Sequence, residues 1–191
     1  MTEPFKNPQP GQWRAEDHCR GKIADYKPFS MVDGEGVRHA IYMSGCLFAC
    51  RHCFNKAIQN FNAGIEYTAK LEDRIIADLA ADHVQGLTLL GGEPFLNTPI
   101  LLPLVKRVRQ VYGTNKDIWS WSGYYYEELL QDTLDKLELL SLIDVLVDGR
   151  FDFRLKDLKL TFRGSSNQRI IDVPSSLKTG KVVLWRDGLY D

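Results

Sequence analysis

The chain has 191 residues, 44% of them apolar and 26% charged, with a formal net charge of −1. That length suits one well-packed domain better than two, and the balanced charge, with no long Lys/Arg block, argues against nucleic acid or an anionic membrane surface as partner. No apolar run approaches the roughly 18 residues of a spanning helix, and Met1-Thr2-Glu3-Pro4 opens without the apolar core of a signal peptide, so a cytoplasmic protein is expected.

Residues 1–22 are rich in Pro, Gln, Asn and charge and lack apolar periodicity. They predict an extension, irregular or wrapped on the domain formed by residues 23–191. Val32-Asp33-Gly34-Glu35-Gly36 supplies a turn, and Val37 to Met43 then reads as a strand running into a loop that carries Cys46, Cys50 and Cys53. Thr68 to Ala81 places Leu71, Ile75, Ile76 and Leu79 at helical spacing behind a Thr68 cap. Leu87 to Leu90 is a short buried strand ended by Gly91-Gly92, and Ile100 to Tyr112 is a second helix stopped by Gly113. Asp117 to Trp121 reads as a strand, Tyr126 to Leu140 as a helix and Ile143 to Val147 as a strand. A tail begins at about residue 174, in which Val182 to Trp185 is a candidate further strand.

Short apolar strands alternating with amphipathic helices predict an α/β fold with a parallel sheet. A complete eight-unit barrel needs about 250 residues, so the expected architecture is an incomplete, laterally open (β/α) barrel. Functional turns are then expected at the carboxyl ends of the strands, where the cysteine loop, Gly91-Gly92-Glu93-Pro94, Trp121 to Tyr124 and Asp148-Gly149-Arg150 all fall.

The Cys-x3-Cys-x2-Cys run supplies three thiolates and no obvious fourth. Three ligands suit a [4Fe-4S] cluster with one iron open to a substrate. The spacing alone also admits a zinc site completed by His18, His39, His52 or His83, or a group of redox-sensing thiols. Cys19 reads as a spare thiol. The glycines of Gly91-Gly92-Glu93-Pro94 allow a ligand close to the backbone and Glu93 can accept from an ammonium group, though an ordinary strand-to-helix turn would look the same.

The cysteine spacing is the motif of the radical S-adenosylmethionine (SAM) superfamily, and Gly-Gly-Glu-Pro about 40 residues later resembles that superfamily's motif for the SAM amino group. Asp117 to Tyr124, Val145 to Phe151 and Arg163 to Arg169, with Met43-Ser44-Gly45 and Phe54-Asn55-Lys56, resemble segments of the activating proteins of anaerobic, class III ribonucleoside-triphosphate reductase, over about residues 23–172. The resemblance implies Cys46, Cys50 and Cys53 as iron ligands of one [4Fe-4S] cluster, with SAM on the open iron. It implies His52, Cys53 and Phe54 as the loop edge contacting SAM, and Gly91, Gly92 and Glu93 as the site for its methionine end. Reductive cleavage of SAM would yield a 5'-deoxyadenosyl radical that takes a hydrogen atom from a glycine of the reductase, leaving a glycyl radical. A low-potential donor such as flavodoxin would supply the electron, and no protein acid, base or nucleophile is required. The alternatives are an activase of another glycyl-radical enzyme such as pyruvate formate-lyase, a small radical SAM enzyme acting on a pterin, and a non-catalytic iron-sulfur or zinc protein. Trp121 to Tyr124 and Arg163 to Arg169 weigh against the first two, and Gly-Gly-Glu-Pro against the third.

Overall fold

Seven extended segments pair into one sheet in the computed structural model, which describes residues 5–188 and 190. Met1-Thr2-Glu3-Pro4, the start of the predicted extension, and residues 189 and 191 of the predicted tail lie outside the described residues. The strands are β1 (Lys22–Ser30), β2 (Val37–Met43), β3 (Ile65–Glu66), β4 (Val84–Gly91), β5 (Asp117–Trp121), β6 (Val145–Asp148) and β7 (Arg169–Asp172), in the order β3-β1-β2-β4-β5-β6-β7. The four central strands β2, β4, β5 and β6 run parallel, and the flanking pairs are antiparallel.

The helices are α1 (Ala15–His18), α2 (Ala69–Asp78), α3 (Thr98–Tyr112), α4 (Tyr126–Leu129), α5 (Leu134–Leu142) and α6 (Val173–Thr179). One face of the sheet, with Ile41, Leu87, Leu89, Ile118 and Leu146, packs against Ile75 and Leu79 from the region of α2, Leu104 and Val108 of α3 and Leu139 of α5. On the other face Trp119, Val145, Val147 and Ile170 form a second apolar cluster, joined by Trp121, Phe162 and Trp185. There the fully buried Arg38 donates to Thr88 Oγ1 at 2.8 Å and pairs with Asp117. No helix of the described residues is long and apolar enough to cross a membrane.

The helix expected over Tyr126 to Leu140 is broken into α4 and α5. The break falls at Asp132-Thr133, where Thr133 is extended and the Asp132 Oδ1 accepts from the Thr133 N–H at 2.7 Å and from Lys136 Nζ at 2.8 Å, side-chain bonds that compete with a continuous helix. The candidate strand at Val182 to Trp185 is instead a single bridge from Leu184 to Ile171 followed by a 3₁₀ turn over Trp185–Gly188. Strands β1, β3 and β7 and helices α1 and α6 have no counterpart among the predicted elements.

Candidate functional site

Strands β2 and β4 pair in parallel register, with Met43 opposite Gly91, so the cysteine loop and the Gly-Gly-Glu-Pro turn leave the sheet side by side. The two turns then bond to each other. Gly92 N–H donates to Met43 O and Glu93 N–H to Gly45 O, each at 2.8 Å. A Cβ on Gly92 would sit 2.2 Å from Gly45 O, so glycine is required there by the neighbouring turn itself. The Asn97 amide donates to Ser44 O and Glu93 O, and the Asn55 amide donates to Gly91 O.

Within the loop, Cys46 N–H donates to Gln59 O, Cys53 N–H to Cys50 O, and Asn55 N–H to Cys53 Sγ at 3.3 Å. Ala49 and His52 take left-handed backbone angles, φ 54° and 60°, a conformation that costs a residue with a Cβ on the order of 1–2 kcal/mol. Phe48 is the apolar anchor between the first two cysteines: it is buried, and its ring meets Tyr124 edge-on at 4.9 Å.

A cavity of about 410 Å³ opens above this pair of turns. Cys46, Cys50 and Cys53 line it, and so do Phe54, Gly91, Gly92 and Glu93. His52 is the one predicted site residue absent from the lining: its side chain is exposed and its ring packs on Phe153, 5.0 Å between centroids. The far wall is aromatic, from Trp121, Phe151 and Phe162. Arg163, Gly164 and Gln168 border the cavity as well, which puts the loop before β7 at the site. Sequence reasoning did not single out Phe162 or give Asp33 a role, although both line the cavity. Asp33 could have been suspected from its place in the turn before β2, whereas Phe162 carried no local signal.

Burial governs the electrostatics. It pushes the Cys46 thiol up, with the Glu93 carboxylate adding to the effect, and raises Cys50 to about 11. Glu93 is fully buried and pushed up to about 7 by desolvation, although the N–H groups of Phe95 and Gly123 and the Ser122 hydroxyl all donate to it. Its carboxyl therefore ties the turn after β4 to the turn after β5. Among the described residues no trio of His, Cys, Asp and Glu side chains converges as a single-ion site would require. The three thiols instead share a cavity wall. Three soft thiol donors on one wall suit iron-sulfur chemistry, and the side-chain-free Gly91-Gly92 cradle faces the same space, so the residues fit a cubane cluster with room for a small organic ligand.

Comparison with known proteins agrees with that donor set. A family described as a 4Fe-4S single cluster domain matches residues 32–171. The chain is 45% identical over 149 residues to the anaerobic ribonucleoside-triphosphate reductase-activating protein of Pasteurella multocida, covering 76% of this chain and 93% of that protein. The protein of the same name from Escherichia coli K12 is 42% identical over 147 residues, covering 75% and 93%, and that of Enterobacteria phage T4 is 36% identical over 145 residues, covering 75% and 88%. With a family match over residues 32–171 and relatives 36–45% identical over about three quarters of the chain, the chain belongs to the family of anaerobic ribonucleoside-triphosphate reductase-activating proteins.

Proposed function

We propose that the protein activates an anaerobic ribonucleoside-triphosphate reductase by generating a glycyl radical on it. Cys46, Cys50 and Cys53 would hold one [4Fe-4S] cluster, with a position left for SAM beside it. When bound, these groups would supply the one-electron reductive chemistry by which a hydrogen atom is taken from a glycine of the reductase. The carrying observation is that the three thiols and the Gly91-Gly92-Glu93 turn face one cavity.

The residues of the chain position and shield. Backbone groups around Gly91 and Gly92 receive the methionine end of SAM, with Glu93 fixing their turn against Ser122 and Gly123. Cys53 and Phe54, with His52 beside them, form the edge against the rest of SAM. Trp121, Phe151 and Phe162 give a low-dielectric wall that keeps water from a reactive radical. The sheet is read as an incomplete, laterally open barrel, through whose open side the glycine loop of the reductase enters. A low-potential donor such as flavodoxin supplies the electron, and the setting is the cytoplasm.

The test mixes anaerobically reconstituted protein with its cognate reductase, SAM and a reductant. A glycyl-radical doublet by electron paramagnetic resonance, with ribonucleotide reduction in parallel, is expected. A preparation that cleaves SAM yet gives no doublet on the reductase, and gives one on pyruvate formate-lyase, would transfer the assignment to the other activases.

A further inference from the structure

The family match begins at residue 32, yet the segment before it is docked on the cysteine loop. We propose that residues 5–19 act as a clamp on the span between Cys46 and Cys50, setting how long the site keeps its cluster. The inference rests on the cluster reading above and adds a part to it.

Lys6 carries the first contact. Its N–H donates to Phe48 O at 2.8 Å, and Phe48 lies midway between the first two cysteines. The carbonyl of Lys6 accepts from Arg150 Nε at 3.1 Å. Arg150 is fully buried, forms a bidentate pair with Glu128 at 2.9 and 3.0 Å, and lies over the Phe48 ring at 4.9 Å and the Phe5 ring at 5.8 Å. One guanidinium therefore grips the segment and the loop together.

Trp13 makes the second contact. Its ring meets Phe48 edge-on at 5.1 Å and Tyr124 at 6.4 Å. Its carbonyl accepts from Lys136 Nζ at 2.6 Å, and that fully buried ammonium also reaches Asp132 and the Tyr124 hydroxyl. A buried cation needs every acceptor it has, so the Trp13 carbonyl is part of what keeps Lys136 satisfied. Third, the His18 ring stacks at 5.6 Å on Phe61, whose ring occupies the space over Gly45. The segment thus bears on the loop before Cys46 and between Cys46 and Cys50. Ligands on a loop release their metal when the loop opens, and contacts that hold Phe48 down oppose opening.

The test uses the full chain, reconstituted anaerobically with iron and sulfide, and follows loss of the cluster's visible absorbance to a chelator. Trp13→Ala should lose the cluster roughly tenfold faster, an effect of the size expected when an aromatic pair contact is removed, and Trp13→Phe should restore most of the wild-type rate. Lys6→Pro, which deletes the donated N–H, should also lose it faster. Val108→Ala, in the same apolar core but near the C-terminal end of α3, is the control for general destabilisation and should keep the wild-type rate. In the cluster-free protein, amide exchange at residues 45–53 should speed up in Trp13→Ala and not in Val108→Ala. Wild-type rates in both Trp13→Ala and Lys6→Pro, or equal acceleration by Val108→Ala, would refute the clamp and leave the cluster reading standing. A wild-type protein that takes up no iron and sulfide would sink the cluster reading, and the clamp with it.

Discussion

Glu93 is buried, and its three donors do not fully replace the hydration its charge would have in bulk water. Its carboxyl titrates at about 7 in the folded protein against 4.5 ordinarily, so its favourable contribution is fully present below about 4.5 and is lost as pH rises through about 7. Across that window the unfolding free energy of the cluster-free protein should fall, relative to Glu93→Gln, by about 3 kcal/mol. Denaturant titrations of both proteins at several pH values measure this, and a gap that does not change with pH rules the account out. The cysteines give a second residue-scale expectation. Cys46→Ala, Cys50→Ala and Cys53→Ala should each fail to hold about four irons per chain, while Cys19→Ala should hold them. Iron and sulfide analysis after anaerobic reconstitution decides it, and full content in any of the first three would remove that residue from the ligand set. The cysteine spacing and the family resemblance together named seven residues that share the cavity wall, because such motifs hold particular residue types close together along the chain. Asp33, Phe162 and the clamp residues Lys6 and Trp13 were not legible. Their places depend on which turns the sheet brings together, and nothing local marks them.

Elements with strong apolar periodicity were read well, and those with little were not. Strand β2 and strand β5 have the predicted bounds, and α3 begins two residues before the predicted start. Strand β1 is mostly half-buried or exposed and mixes charge with aromatic residues, and β7 has four residues, so neither presents a run that stands out. The α4–α5 break was missed for a different reason: Leu130, Leu134 and Leu137 keep helical spacing across it, yet Leu134 is 83% exposed and faces away from the core. Asp132 sits at the break, which gives an element-scale prediction. The Lys136 and Asp132 side chains are 0% and 2% exposed, so Lys136→Met leaves a buried carboxylate and should destabilise the protein by about 3–5 kcal/mol. Lys136→Met with Asp132→Asn removes both charges and should recover a large share of that loss. Chemical denaturation of the two variants tests it, and a double variant no more stable than the single one would show that the pairing is not the cause.

At the scale of the whole molecule, the cysteine loop is the point where the two central strands β2 and β4 hand over to their turns, so its state is coupled to both. Gly92 and Glu93 donate across the two turns to Met43 O and Gly45 O, and Ala49 and His52 hold left-handed angles that would relax if the loop came free. A group that binds the three thiols in the folded chain and has no equivalent site in the unfolded one adds its binding free energy to folding. For a chain of about this size each 1 kcal/mol raises the melting temperature by about 2–4 °C. Anaerobically loaded protein should therefore melt at least about 5 °C above the same protein stripped by a chelator. Amide exchange should slow in two stretches, residues 45–53 and 91–97, because the hydrogen bonds of the paired turns connect them. Helix α6, which starts where β7 ends opposite the first residue of β6, at the other end of the sheet from the loop, should exchange at the same rate in both states. Protection confined to residues 45–53 would mean that the two turns are not coupled, and equal melting temperatures would mean that the bound group adds no free energy to folding.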